Sequence, residues 1–181
     1  MIRRPDVARP SGPQLELLNR LGYAQLTHDS HVPFLSHLVG TRRLLAEWGE
    51  RPALCDAGLF HSAYGTEYFQ PDAPASRAEV RELIGAEAEA IAWVWCTILR
   101  DTLAVTEPHG AIDRTTCELI ALHAEMVTDI ATLWAADTVE QIARMSADER
   151  GFAHGLDRVL PLARPNARAA ATAVMSLIGE P

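Results

Sequence analysis

An all-α, single-domain helical bundle is the fold this sequence predicts, and three observations predict it. Apolar residues recur at helical spacing along most of the chain, Pro, Gly and capping residues punctuate it where helices would start and stop, and no stretch shows the two-residue alternation of a strand. At 181 residues, nearly half of them hydrophobic, one such domain buries a core without staples.

Residues 1–13 hold three prolines and little periodicity, so they are read as a flexible N-terminal arm, with the helical domain spanning 14–181. Leu15, Leu17, Leu18 and Leu21 mark a first amphipathic helix from Gln14, running out near Gly22. The polar stretch Thr27–His31 leads to Pro33, whose fixed φ suits the first turn of a second helix ending at Trp48-Gly49. Pro52 opens a third helix, carrying Leu54, Ala57, Gly58 and His61 on one side. Residues 65–75, with Gly65, Pro71 and Pro74, form a loop, and Ser76-Arg-Ala-Glu79 is a capping box that starts a helix at Arg77. Ala86 to Leu103 reads as one long helix with Trp93 and Trp95, broken by Pro108-His-Gly110. Asp113 to Ala136 reads as another, and Asp137-Thr-Val-Glu140 and Ser146-Ala-Asp-Glu149 look like further caps. Ala167 to Ile178 supplies a last helix.

Charge and composition exclude several function classes. A formal charge of −8 argues against a nucleic-acid partner, and no apolar run approaches the ~20 residues that span a bilayer. All sixteen basic residues are arginine, which removes both a P-loop lysine and a Schiff-base lysine; no nucleotide cofactor is indicated. Basic residues near Met1 have no apolar stretch behind them, so the expected location is cytoplasmic. Cys55, Cys96 and Cys117 lack CxxC spacing; Cys55 and Cys96, among apolar neighbours, read as buried small hydrophobes. The apolar helices after Ala86 leave room for a homodimer contact.

Chemistry is concentrated in two successive apolar helices, each carrying one histidine. His37 lies among Phe34, Leu38 and Leu45, and His61 beside Leu54, Ala57 and Gly58. An imidazole on an apolar face needs partners for its ring nitrogens, and two helices joined by a short turn can bring two of them together. Each histidine can equally be a hydrogen-bonded core residue, but the pair, with a small-residue notch and a polar turn beside it, favours a site.

The segments His37-Leu-Val-Gly-Thr-Arg-Arg-Leu-Leu-Ala-Glu-Trp48 and Cys55-Asp-Ala-Gly-Leu-Phe-His61-Ser-Ala-Tyr-Gly-Thr-Glu67 resemble the opening of an HD-superfamily domain. Within it they are most similar to the RelA/SpoT-type (p)ppGpp hydrolase branch, over about residues 14–70. The resemblance implies an HD-like helical bundle in which His37 is the first metal-binding histidine and His61 the histidine of the HD pair. Ser62 stands where the pair's aspartate would be, and Glu67 lies near the acidic turn that orients water. The downstream family aspartate is expected within Ile120–Met126, which offers His123 and Glu125; Asp129 is one turn further on.

On this reading His37, His61 and His123 or Glu125 hold a divalent metal, Mn²⁺, Fe²⁺ or Zn²⁺, with open positions. Glu67, His61 and His37 are the catalytic candidates, and Arg42, Arg43, Tyr64 and His31 line a site for a small-molecule substrate. His28 and Asp29 share the turn of His31, and Asp29 is read as a helix cap. The implied activity is divalent-metal-dependent hydrolysis of a phosphorylated small molecule. Three alternatives remain open: iron oxygen chemistry at the same site, a metal-independent biosynthetic enzyme using His37 and His61 as acid–base groups, and a non-catalytic ligand-binding module.

Overall fold

The first and last helices begin two residues before periodicity alone indicates, and the long helices expected in between are interrupted. The structure, a computed structural model, describes residues 9–26, 33–142 and 155–178, and the turn of Thr27–His31, the cap at Ser146–Glu149 and His154 lie outside them. The described residues form eight α-helices and one two-stranded sheet, a mainly helical architecture. None of the described helices is long and apolar enough to cross a membrane.

Helix α1 spans Gly12–Arg20, two residues earlier than the sequence suggests. Ser11 accepts from the Gln14 backbone and Gln14 Oε1 accepts from the Ser11 backbone at 2.8 Å, so residues 11–13 belong to the helix and its cap rather than to an arm. Helix α2 (Phe34–Glu47) starts after Pro33 and stops where Gly49 adopts φ +84°, with the Glu50 amide closing back on Leu45 O at 3.0 Å. Helix α3 (Pro52–Leu59) packs on α2 so closely that a Cβ at Gly58 would stand 2.5 Å from Leu45 Cδ1. The notch at Gly58 therefore receives a core leucine.

Ser76 caps α4 (Arg77–Ile84) as its capping-box sequence predicts, and Gly85, at φ +86°, separates it from α5 (Ala86–Thr97). Helix α5 is shorter than the stretch Ala86–Leu103 predicts: the chain extends at Ile98, then makes a 3₁₀ turn at Arg100–Thr102. The expected helix from Asp113 is divided. Strands β1 (Gly110–Ile112) and β2 (Leu119–Ala121) pair antiparallel with Ala111 opposite Ile120, and Asp113 Oδ1 turns the chain between them by accepting from Thr115 and Thr116 amides at 2.7 and 3.0 Å. Strands of three residues are too short to show a two-residue period against a helical background.

Helix α6 (Ala124–Ile142) runs through the centre, with Ile130, Ala131, Leu133, Ala135 and Ala136 all fully buried. It packs against α2, α3, α5 and α8. Asp137 and Glu140 sit inside it and cap nothing. Helices α7 (Leu156–Val159) and α8 (Pro165–Ile178) cover its far side.

Candidate metal centre

Four buried polar side chains meet between α2, the end of α3 and α6. His37 comes from the middle of α2, His61 from the turn that follows α3, and Asp137 and Glu140 from one face of α6, where residues three apart are neighbours. His37 is 1% exposed and His61 3%, in surroundings otherwise apolar and aromatic.

The outer nitrogen of each ring is engaged by an oxygen. His37 Nδ1 stands 2.5 Å from Glu140 Oε2, and His61 Nδ1 2.7 Å from the carbonyl of Gly58. A carbonyl accepts and does not donate, as does an ionised carboxylate, so both Nδ1 atoms carry hydrogen and both Nε2 atoms of neutral rings present lone pairs. Those lone pairs point to one place. His37 Nε2 and His61 Nε2 are 3.2 Å apart, and Asp137 Oδ1 lies 3.0 Å from the first and 3.2 Å from the second.

Three acceptor atoms facing each other in a dry interior repel unless a positive charge lies among them. With a proton as that charge, burial pulls the His37 pKa down, but the hydrogen bonds and charges of Asp137 and Glu140 outweigh it and raise it to about 9. Burial likewise opposes ionisation of Asp137, yet hydrogen bonds from the two histidines hold its carboxyl well below the usual range. A divalent cation answers the same demand and uses all three atoms. Ligand atoms bound at about 2.0–2.2 Å to one ion are roughly 3.0–3.5 Å apart, and the observed separations fit. Among the described residues, His37, His61 and Asp137 are the group whose donor atoms cluster in this way. Outward carboxylate and carbonyl partners of this kind fix imidazole ligands in metal sites.

One guanidinium borders the cluster. Arg100 Nε donates to Glu67 Oε1 at 2.7 Å, and its Nη1 lies 3.6 Å from Asp137 Oδ2. The Trp95 and Trp134 rings pack against it, and Trp95 also meets His61 edge-on at 5.9 Å.

The other sequence candidates are distributed differently. Glu67 reaches the centre only through Arg100. Arg42 is buried but turned away, ion-paired with Asp56, which also accepts from Gln14 Nε2 at 2.9 Å. Arg43 is an exposed partner of Glu47 one turn along α2. The Tyr64 hydroxyl donates to Glu89 at 3.3 Å and its ring packs on Trp93, away from the histidines. Neither His123 nor Glu125 approaches the cluster. The first accepts from the Met126 amide at the start of α6, and the second is an exposed carboxylate bound by Arg164 at 2.5 Å. Asp129 is paired with Arg51 and Arg164. Asp137 fills the place expected of His123 or Glu125 because α6 starts only at Ala124 and its last third, not its beginning, meets His37 of α2. His31, with His28 and Asp29, falls outside the described residues.

Asp137, Glu140 and Arg100 are the residues sequence reasoning missed. A signal existed for the acids: Asp137 and Glu140 are the two charged residues, one turn apart, in the run from Ile130 to Ile142, and such a pair in a largely buried helix requires partners. The same Asp-x-x-Glu spacing also matches a capping box, which disguises the pair. Ser62 is buried, and its carbonyl accepts from Tyr23 at 2.9 Å.

Residues 17–100 match the model of a family described as a domain of unknown function, DUF6817. No curated protein and no solved structure matches the chain. The matched stretch holds His37, His61, Glu67 and Arg100, and ends before Asp137 and Glu140.

Proposed function

We propose that the protein is an HD-like, divalent-metal-dependent hydrolase of a phosphorylated small molecule, with His37, His61 and Asp137 holding a single ion. The observation that carries this reading is the convergence of three lone-pair atoms within 3.2 Å of one another, with both imidazoles locked from behind. The HD-like assignment is supported by the two histidines arriving from the positions that the resemblance implies and by an aspartate arriving from a later helix.

A bound divalent ion lowers the pKa of water and polarises a phosphoryl oxygen, the chemistry such a hydrolase uses. The chain's own residues set the stage for it. Glu140 and the Gly58 carbonyl hold the rings in the tautomer that leaves Nε2 free. The aromatic surroundings of Phe34 and Trp95 keep the interior dry, which strengthens each electrostatic contact within it. Glu67, engaged by Arg100, acts as a positioning residue for that guanidinium rather than as a base acting on water.

A second reading has an observation of its own. Two histidines and one carboxylate, with Ser62 in place of a fourth ligand, form the donor set of non-haem iron enzymes that use dioxygen. One experiment separates the readings. Protein purified without chelators is analysed for metal, then assayed for phosphate release and for oxygen consumption against a panel of phosphorylated and unphosphorylated metabolites. Phosphate release that needs metal and disappears in His61→Ala supports the hydrolase. Oxygen uptake confined to the iron form supports the alternative. Turnover that survives complete chelation but is lost in His37→Ala refutes both in favour of acid–base catalysis by the imidazoles, and binding without turnover points to a non-catalytic module.

A further inference from the structure

Arg100 is held in a way that leaves part of its charge unspent. Its side chain is 10% exposed, and Glu67 takes the Nε hydrogen at 2.7 Å. The Nη nitrogens have no hydrogen bond to any described residue, and Nη1 stops 3.6 Å short of Asp137 Oδ2, beyond hydrogen-bond reach. Asp137 directs its other oxygen, Oδ1, at the two imidazoles. Rings of Trp95 and Tyr68, 4.6 and 4.8 Å from Arg100 Cζ, pack against the guanidinium and restrict its swing. Its backbone is fixed as well: Arg158 Nη2 donates to the carbonyls of Arg100 and Asp101 at 3.2 and 3.0 Å. A second donor sits in the same wall. Trp95 Nε1 is buried without a hydrogen-bond partner, in the ring that meets both His61 and Arg100. Among these donors the indole N–H is the buried orphan, which is costly, whereas the Arg100 Nη nitrogens are unpartnered but not buried and so stay open to a ligand.

We propose that Arg100, positioned by Glu67, binds the oxyanion of the phosphorylated substrate beside the metal centre. The inference rests on the hydrolase reading and deepens it. It gives Arg100 the role that spacing alone assigned to Arg42 and Arg43. A planar fork with its Nη edge free matches two phosphate oxygens, and the aromatic contacts mean that little side-chain freedom is lost on binding.

The test uses full-length protein loaded with Co²⁺, and the same protein stripped of metal, each titrated with inorganic phosphate by calorimetry. Phosphate should bind the loaded wild type. Arg100→Gln should keep its Co²⁺ and its circular dichroism while phosphate affinity falls at least about tenfold. Arg100→Lys, which retains the charge but not the fork, should lose about three- to tenfold. Folded, Co²⁺-loaded Arg100→Gln with wild-type phosphate affinity overturns the assignment and leaves the metal centre standing, as does a loaded wild type that binds no phosphate. Should Arg100→Gln not fold, an undiminished affinity in Arg100→Lys overturns it. A wild type that takes up no Co²⁺ defeats the metal reading instead. Phosphate binding by that stripped protein, lost in the Arg100 variants, still supports the anion site, and its absence ends it.

Discussion

Gly40 on α2 makes room for Glu140 on α6: a Cβ at position 40 would stand 2.5 Å from Glu140 Oε1 and 2.8 Å from its Cγ. Glu140 is not free to swing clear, because its Oε2 is bound to His37 Nδ1 at 2.5 Å and its side chain is buried. Gly40→Ala is therefore expected to dislodge Glu140 from His37 while leaving the three converging atoms chemically intact. Loss of such an outer partner weakens metal binding about 10–100-fold. Competition against a chromophoric chelator measures it, and wild-type affinity in Gly40→Ala would show that Glu140 does not set the His37 ring.

On the proposed metal reading, an ion should raise the melting temperature of the wild type, since it would bind the folded centre and not the dispersed ligands. At a hundredfold excess over Kd the stabilisation is about 2.7 kcal/mol. His61→Ala and Asp137→Asn each remove one of the three converging atoms or its charge, and calorimetric melts of both should be insensitive to added Mn²⁺ or Zn²⁺. An undiminished shift in either variant places the ion elsewhere.

Away from the centre, Arg77 forks onto Glu89 at 2.6 and 2.9 Å, with its guanidinium also 4.2 Å above Trp93. Glu89 is 1% exposed, so Arg77→Ala strands a buried carboxylate with only the Tyr64 hydroxyl for company. Because Arg77 itself is half-exposed, the loss should fall at the low end for a broken buried pair, roughly 3 kcal/mol in urea unfolding. Glu89→Gln, which removes the stranded charge, should cost less.

The thiols give a prediction about alkaline pH. Burial pushes Cys96 up to about 12 and Cys55 up to about 11, whereas Cys117 is exposed in the hairpin turn. Native protein at pH 8 should react with a thiol reagent at Cys117 alone, and unfolded protein at all three positions. The folded state holds the two buried thiols protonated, so stability from this source is complete below the unfolded thiol value near 9. It should decline as pH rises toward the folded values of about 11 and 12. Equally fast modification of Cys96 in the native state would contradict its burial.

Helix starts up to residue 86 were legible because local chemistry marks them: Pro33, Pro52 and Ser76 stand where α2, α3 and α4 begin, and Gly49 where α2 stops. His37 and His61 stood out for the related reason that a polar ring on an apolar face is conspicuous. Beyond residue 97 the signals are ambiguous. The run Ala111–Ile142 is apolar enough to hide a three-residue hairpin, and the Asx turn at Asp113 resembles a helix cap in sequence. Asp137 and Glu140 belong to this region, and their role depends on a contact with His37 that spans 103 residues of chain. Arg100 was hidden differently: it follows an aromatic-rich helix, and only the 3₁₀ turn shows which way it faces.

The centre's basic nitrogens and acidic oxygens are inherited from separate halves of the chain, and the family likeness at residues 17–100 covers the first half only. A match confined to that stretch takes in the two imidazoles of this chain and leaves out both carboxylates. On the proposed reading the later helix decides: a chain that matches residues 17–100 can hold an ion in this way only where it also carries both histidines and an Asp-x-x-Glu couple to set against them.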